Sequence, residues 1–338
     1  MRSIAVSLAF LMFSPPALAH HSVTVFFDRN TTVEIEGTVT DIFWRNPHVS
    51  FTLAVVNDVG MTEEWDLEGG TTNTLIRRGF TAESVTIGER VKAAGAASRR
   101  GEPAIFVSHL LLPSGKEVIL SDRDLPLRWT SPSADETALA STTDVAGSGI
   151  FKVWSHNLYR IRSSLVLTPA ALAARDAFDP RTDDPSLKCI PPGMPNAILN
   201  PYPMELIDEG DRIIQRVEEW DARRVFHMSE GARSQTQAPS YLGYSVGRWD
   251  ENTLVVETTQ VAFPLLDANG TPMSENVSMV ERYTLSEDET RLESEVVVTD
   301  SENMVEPAIW ENTWVYRPGV EVRPFECTLR DTVSPVYR

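Results

Sequence analysis

The chain has 338 residues, 42% of them hydrophobic, with 30 basic against 48 acidic side chains and a formal net charge of -18. Its length exceeds the roughly 100–200 residues of one domain, so two domains are expected, each with apolar material enough for a core. Acidity of this size repels phosphate backbones and anionic lipid, which argues against nucleic acid or a membrane surface as a partner.

Residues 1–19 read as an export signal. Arg2 supplies the positive start, Ile4 to Phe13 an apolar core of about ten residues, and Ala17-Leu18-Ala19 a small-x-small cleavage site. A spanning helix needs about 20 apolar residues, so this stretch is too short to anchor and no later one is long enough. The expectation is a periplasmic or secreted protein with no stable membrane insertion after cleavage, its mature chain beginning at His20-His21.

Residues 20–121 read as a small domain of short strands. Val33 to Trp44 alternates apolar with polar, the period of a half-buried strand. Asn46-Pro47 turns the chain into a second strand, Val49 to Val56, and a third follows over Glu64 to Glu68. Thr71 to Arg78 suits a short helix stopped at Gly79, and two more strands are expected over Arg90–Ala96 and Ile105–Leu112. Five strands with a helix in the middle is the pattern of an OB-like barrel. Residues 122–149 are assigned to a linker, because the Ser, Thr, Ala, Asp and Gly of its later part show no apolar period.

Residues 150–338 form the second domain. Thr168-Pro169 starts a short helix, with Thr as cap and Pro at the first position. A proline-rich crossing from Pro180 to Pro203 excludes helix and central strand and should wrap the surface as a loop. Strands resume over Met204–Ile207, Ile213–Trp220, Arg223–Met228, Leu242–Trp249, Thr253–Val261, Ser278–Leu285, Arg291–Thr299, Ile309–Tyr316 and Val320–Cys327. Such a run closes best as an antiparallel up-and-down, lipocalin-like barrel, or packs as a sandwich; the barrel is the preferred reading, and about eight strands leave room for one small ligand. The whole chain is therefore expected to be mainly all-β.

Cys189 and Cys327 are the two cysteines, and an oxidising compartment makes a disulfide between them the default. Closing so long a loop is worth about 5 kcal/mol at most by chain entropy. Of the six histidines, three suggest a metal site. Cleavage after Ala19 gives His20 a free amine beside its imidazole; His21 is adjacent, and His48 follows the Asn46-Pro47 turn. Amine and imidazole nitrogens suit copper best among divalent first-row metals. A frayed, solvated terminus is the alternative. His109 and His227 read as core histidines bonded inside strands, and His156 as part of an exposed aromatic-polar loop.

The most distinctive segment of the second domain is Leu242 to Asp250. Gly243 and Gly247 mark close backbone approach or a bulge, and Tyr244, Arg248 and Trp249, with His227, are candidate ligand-binding residues. Gly243-Tyr244-Ser245-Val246-Gly247 fits the hydrolase elbow only superficially, since a strand rather than a helix follows the serine. No dinucleotide fingerprint, phosphate loop or His-Glu-x-x-His helix is present, and no catalytic pair stands out.

His20-His21-Ser22, Gly37-Thr38-Val39, Trp44-Arg45-Asn46-Pro47-His48, Glu68-Gly69-Gly70 and Leu75 to Gly79 resemble a family of small exported bacterial proteins of unknown function. That resemblance implies that the HHS start and the W-x-NPH motif are a shared pattern. Residues 179 to 329 resemble a second uncharacterised exported family. Cys189, Pro191-Pro192-Gly193, Asn200-Pro201-Tyr202-Pro203, Gly247-Arg248-Trp249 and Cys327 carry the likeness. It implies a structural bridge between the cysteines and no activity. Three functions stay open: a periplasmic binding protein with copper at the mature terminus and a small ligand or protein partner in the barrel; an enzyme using His227, Tyr244 and Arg248; and an envelope assembly module.

Overall fold

The structure, a computed structural model, describes residues 23–121, 125–131, 149–161, 163–229, 231 and 237–329, with backbone alone for Thr24, Val25 and 156–161. The chain is nearly all β, and its strands fall into two sheets. Among the described residues no helix is long and apolar enough to cross a membrane.

The first sheet holds β1 (Phe27–Phe43), β2 (Ser50–Val56), β3 (Thr62–Glu68), β4 (Arg90–Ser98), β5 (Ala104–Leu111) and β6 (Glu117–Ile119), preceded by one turn of helix, α1 (Val23–Phe26). β1 pairs with both β2 and β4, β4 with β5, and β5 returns parallel to β3, so β1-β2-β3-β5-β4 close a ring. This is the OB-like order expected from the strand spacing. Closing so tight a ring demands bent strands, and β1 shifts register against each of its partners. Gly95 sits at the shift between β4 and β5, where a Cβ would lie 2.2 Å from the Phe106 carbonyl oxygen. Helix α2 (Thr72–Arg77) is capped by the Thr71 hydroxyl, which accepts from the Thr74 amide, and it buries Leu75 against Leu53, Leu67, Phe80 and Ile105.

Residues 125–131, assigned above to the linker, pack on this domain. The Glu117 carboxylate accepts from the Arg128, Trp129 and Thr130 amides at 2.6–2.9 Å, and the Lys92 ammonium lies 4.8 Å from the Trp129 ring.

The second sheet is a closed barrel of nine strands. They are β7 (Val153–Ile161), β8 (Met204–Asp208), β9 (Arg212–Val217), β10 (Ala222–His227), β11 (Tyr244–Asp250), β12 (Thr253–Thr259), β13 (Ser278–Leu285), β14 (Arg291–Thr299) and β15 (Ala308–Tyr316). Helix α3 (Pro169–Ala177), capped by Thr168, stands in the chain between β7 and β8. Three details differ from the sequence reading. His156 lies in β7, which pairs with β15 and completes the wall, rather than in a loop. Val320–Cys327 is not a strand: Pro324 removes a ladder amide, and the segment makes one isolated bridge, Cys327 to Asn46. The barrel is not wholly antiparallel, because β10 and β11 run parallel.

That carboxyl-terminal segment ties the domains together. Cys327 is disulfide-bonded to Cys189 in the proline-rich crossing. The Thr328 amide donates to the Asn46 carbonyl at 3.0 Å, and Asn73 Nδ2 donates to the Pro324 carbonyl at 3.0 Å. Arg77 donates to the fully buried Glu218 carboxylate. Phe325 is buried between the rings of Tyr202 and Trp220, 5.7 and 5.2 Å away. Asn46 and Arg77, both from segments the first resemblance singled out, thus act as structural clamps.

Candidate ligand pocket in the barrel wall

Alternation along a barrel strand points every second side chain inward. Most inward positions here are apolar, among them Trp154, Trp310, Trp314, Leu254 and Val296. Five neighbouring strands break the rule at one level. β9 contributes Gln215, β10 Arg224, β11 Ser245, β12 Thr258 and β13 Glu281 and Tyr283, all at most 3% exposed. Arg224 forks onto the Glu281 carboxylate, with N–O distances of 2.6 and 2.9 Å. Arg224 also donates to Gln215 Oε1 at 2.7 Å, Ser245 Oγ at 3.1 Å and Thr258 Oγ1 at 3.0 Å. The Tyr283 hydroxyl donates to Glu281 at 2.7 Å and accepts from Gln215 Nε2 at 3.2 Å.

Burial alone pulls the Arg224 pKa down, but the Glu281 carboxylate outweighs it and leaves the guanidinium above its ordinary value. Burial, reinforced by the same carboxylate, pushes the Tyr283 hydroxyl well above its ordinary range. The network is therefore a neutral ion pair with a protonated phenol. Arg224 Nε is the one guanidinium nitrogen left without an acceptor.

The wall opens beside this network. β10 and β11 pair over two positions only, Phe226 with Ser245 and His227 with Val246. A parallel neighbour cannot follow by a hairpin, so the chain leaves the barrel after β10 and re-enters at Tyr244 in the same direction. Gly243 makes that entry possible: its φ is +71°, and a Cβ would meet the Thr259 carbonyl oxygen at 2.6 Å. The result is a pocket of about 610 Å³. Pro191 and Pro192 of the proline-rich crossing form one side, Trp220 to Val225 another, and Tyr241 to Ser245 a third. Its lining includes Arg224 and Ser245, so the pocket reaches the buried network from outside.

Of the candidate ligand residues, His227 and Tyr244 both line this pocket and stack on each other, ring centroids 4.7 Å apart. They face outward from the wall, not into the barrel interior, because they alternate with the buried Phe226 and Ser245. Arg248 and Trp249 are not among the lining residues. Arg248 lies 3.6 Å from Asp250, and the half-exposed Trp249 contacts Phe151 at 6.4 Å. Arg224, Glu281, Gln215 and Tyr283 escaped the sequence reading. Ser245, noticed only as a weak elbow match, is a buried strand residue of the network.

For the metal hypothesis, His20 and His21 lie outside the described residues. His48 Nδ1 stands 2.9 Å from the Gly69 carbonyl oxygen and 3.4 Å from Glu68 Oε1, and its ring meets Phe106 edge-on at 6.1 Å. Among the described residues no group of three or more His, Cys, Asp or Glu is gathered for a metal ion. His109 is bonded in place, by Ser108 Oγ at 2.8 Å and the Pro126 carbonyl at 3.1 Å.

No curated protein matches the chain. Among solved structures, apo lipid binding protein 8 of Caenorhabditis elegans is 10% identical, with 51% of this chain and 99% of that one covered at a TM-score of 0.27. A Nostoc punctiforme protein of unknown function from the DUF3598 family is 11% identical, with 84% and 95% covered at a TM-score of 0.20. Residues 9–105, most of the amino-terminal domain, match the family model described as a family of unknown function (DUF6152).

Proposed function

We propose that the protein binds a small organic molecule in the wall of its carboxyl-terminal barrel. The observation that carries this reading is the pocket at the parallel β10–β11 junction, whose inner end is formed by buried Arg224 and Ser245. Its volume falls within the 300–1,000 Å³ usual for ligand sites, and it joins apolar and aromatic walls to a few fixed polar groups. Binding is favoured over catalysis by the state of those groups. Arg224 and Glu281 are committed to each other, the Tyr283 proton is held tightly, and His227 is stacked rather than aimed at a nucleophile. Residues 1–19, which read as an export signal, and the disulfide support a location outside the cytoplasm.

Titration with the neutral fluorophore Nile red tests the reading. Saturable binding is expected, with at least tenfold loss in Ala222→Trp and Ser240→Trp, each of which fills the pocket. Undiminished binding by both variants would place the ligand elsewhere.

A second reading concerns copper at His20, His21 and His48. It is favoured by the bond from His48 Nδ1 to the Gly69 carbonyl, which makes Nε2 the basic nitrogen, as outer-shell carbonyls do for metal-binding imidazoles. Phe106, against which His48 packs, also contacts Phe27 near the start of the first domain. The check is copper stoichiometry on a chain sequenced from its mature terminus. About one copper per chain is expected, lost in His48→Ala; a terminus other than His20, or no uptake, ends the idea.

A further inference from the structure

We infer that the ligand is an organic anion, a carboxylate or similar oxyanion on a flat apolar body. The inference rests on the pocket being a ligand site and adds its charge. The chain as a whole is strongly acidic, at -18. Yet among the described residues the pocket lining contains Arg212, Arg223, Arg224 and His227 against a single carboxylate, Asp221.

The partners of these charges sharpen the point. Arg212 is paired with Glu209 at 2.6 Å, and Arg224 with Glu281. Asp221 already accepts from the Phe325 amide through both oxygens, each at 3.2 Å. Arg223 alone is uncommitted: among the described residues its side chain has neither an ion pair nor a hydrogen bond, and it is exposed at the pocket. Its cross-strand neighbour Arg216 is held by Glu205 at 2.9 Å, so a like charge stands opposite it with its own counterion. An acidic protein that leaves an arginine unpaired at a concave site presents a positive spot to an incoming anion.

The second donor is Arg224 Nε, a buried N–H without an acceptor on a residue that lines the same pocket. Leaving such a donor unmet is costly, and an acceptor oxygen on the ligand would recover that loss. The rest of the lining fixes the ligand's body. The lining includes the stacked His227 and Tyr244 rings, Trp220, Tyr241 and Pro191, a flat-ringed and apolar set that suits a planar apolar group.

The test is a matched pair differing only in charge: naphthalene-2-carboxylate and naphthalene-2-carboxamide, titrated calorimetrically into the full chain. The carboxylate is expected to bind at least tenfold tighter. Arg223→Gln, an exposed change that leaves the fold intact, should remove most of that preference. Equal affinity for the two probes, or a preference unchanged in Arg223→Gln, overturns the anion inference while Nile red binding keeps the pocket. Failure of Nile red to bind the unmutated chain removes the pocket reading and this inference with it.

Discussion

In the five-stranded ring of the first domain, the side chains that meet at the centre are Leu53, Leu67, Leu75, Ile105, Val107 and Phe80, all apolar and inaccessible. In the nine-stranded barrel, the same inward alternation gathers Trp154, Trp310 and Trp314 but also an arginine, a glutamate, a glutamine and a tyrosine. Barrel diameter grows with strand number, so the small ring is filled by one apolar layer while the larger one has an interior to furnish. The wider barrel uses that interior for a hydrogen-bonded ion pair, set beside the short β10–β11 pairing. A buried ion pair is poor evidence for stability, since an apolar pair of similar size often does as well. Its position against the pocket suits it, under the proposed binding function, to fixing donors at the pocket's inner end.

Breaking the pair should give the largest effect. Glu281→Ala strands the Arg224 charge inside the barrel and is expected to cost about 3–5 kcal/mol in urea unfolding. The double change Arg224→Met with Glu281→Met should recover most of that loss while weakening binding of the naphthalene carboxylate. In the amino-terminal ring, where no charge is buried at the centre, Leu67→Ala removes only packing, about 2–5 kcal/mol by cavity formation, and no apolar double change should restore it. If the Met pair is as unstable as Glu281→Ala, the contrast between the two interiors fails.

The same contrast governs what could be read from the sequence. In the first domain the alternating stretch from Val33, the Thr71 cap and the glycine stops place strands and helix nearly as found, because one local pattern decides each. In the second, Val280-Glu281-Arg282-Tyr283 shows alternation but not which parity faces inward; the buried charge is Glu281, and Arg282 is exposed. Arg223-Arg224 hides the same ambiguity, with one arginine in the solvent and its neighbour in the network. The pocket itself arises from the parallel meeting of β10 and β11, a long-range event with no local signature. The glycine-spaced segment points to Tyr244 and the strand Arg223–Met228 to His227, but their stacking follows from that same junction.

A smaller effect is expected at the seam between the domains. Cys327→Ser releases the segment that bridges Asn46 and seats Phe325, and should cost about 2–4 kcal/mol. Because that segment contacts both barrels, scanning calorimetry should show one transition become two, the nine-stranded barrel unfolding at the lower temperature. A single transition with lowered midpoint would mean that the Arg77–Glu218 contact holds the two units together by itself.

The smallest change lies beside that contact and is read through pH. Burial raises the Glu219 carboxyl from 4.5 to about 8, against a weaker opposing bond from Asn200 Nδ2 at 2.7 Å. The folded chain therefore holds this proton more tightly than the unfolded one. The stabilisation is complete below 4.5, declines as pH rises from there, and is lost above about 8. Glu219→Gln keeps an acceptor for Asn200 and never ionises. It should match the parent chain below pH 4.5 and exceed its stability increasingly as pH rises towards 8. Glu117 and Asp300 do not confuse the reading: burial raises each, but hydrogen bonds outweigh it and hold both below their ordinary values. Their contributions are lost as pH falls into the acid range, on the other side of the window. A Glu219→Gln chain whose stability falls with pH as steeply as the parent's would show that the carboxyl stays ionised in the fold, with water or a shifted Asn200 meeting its charge.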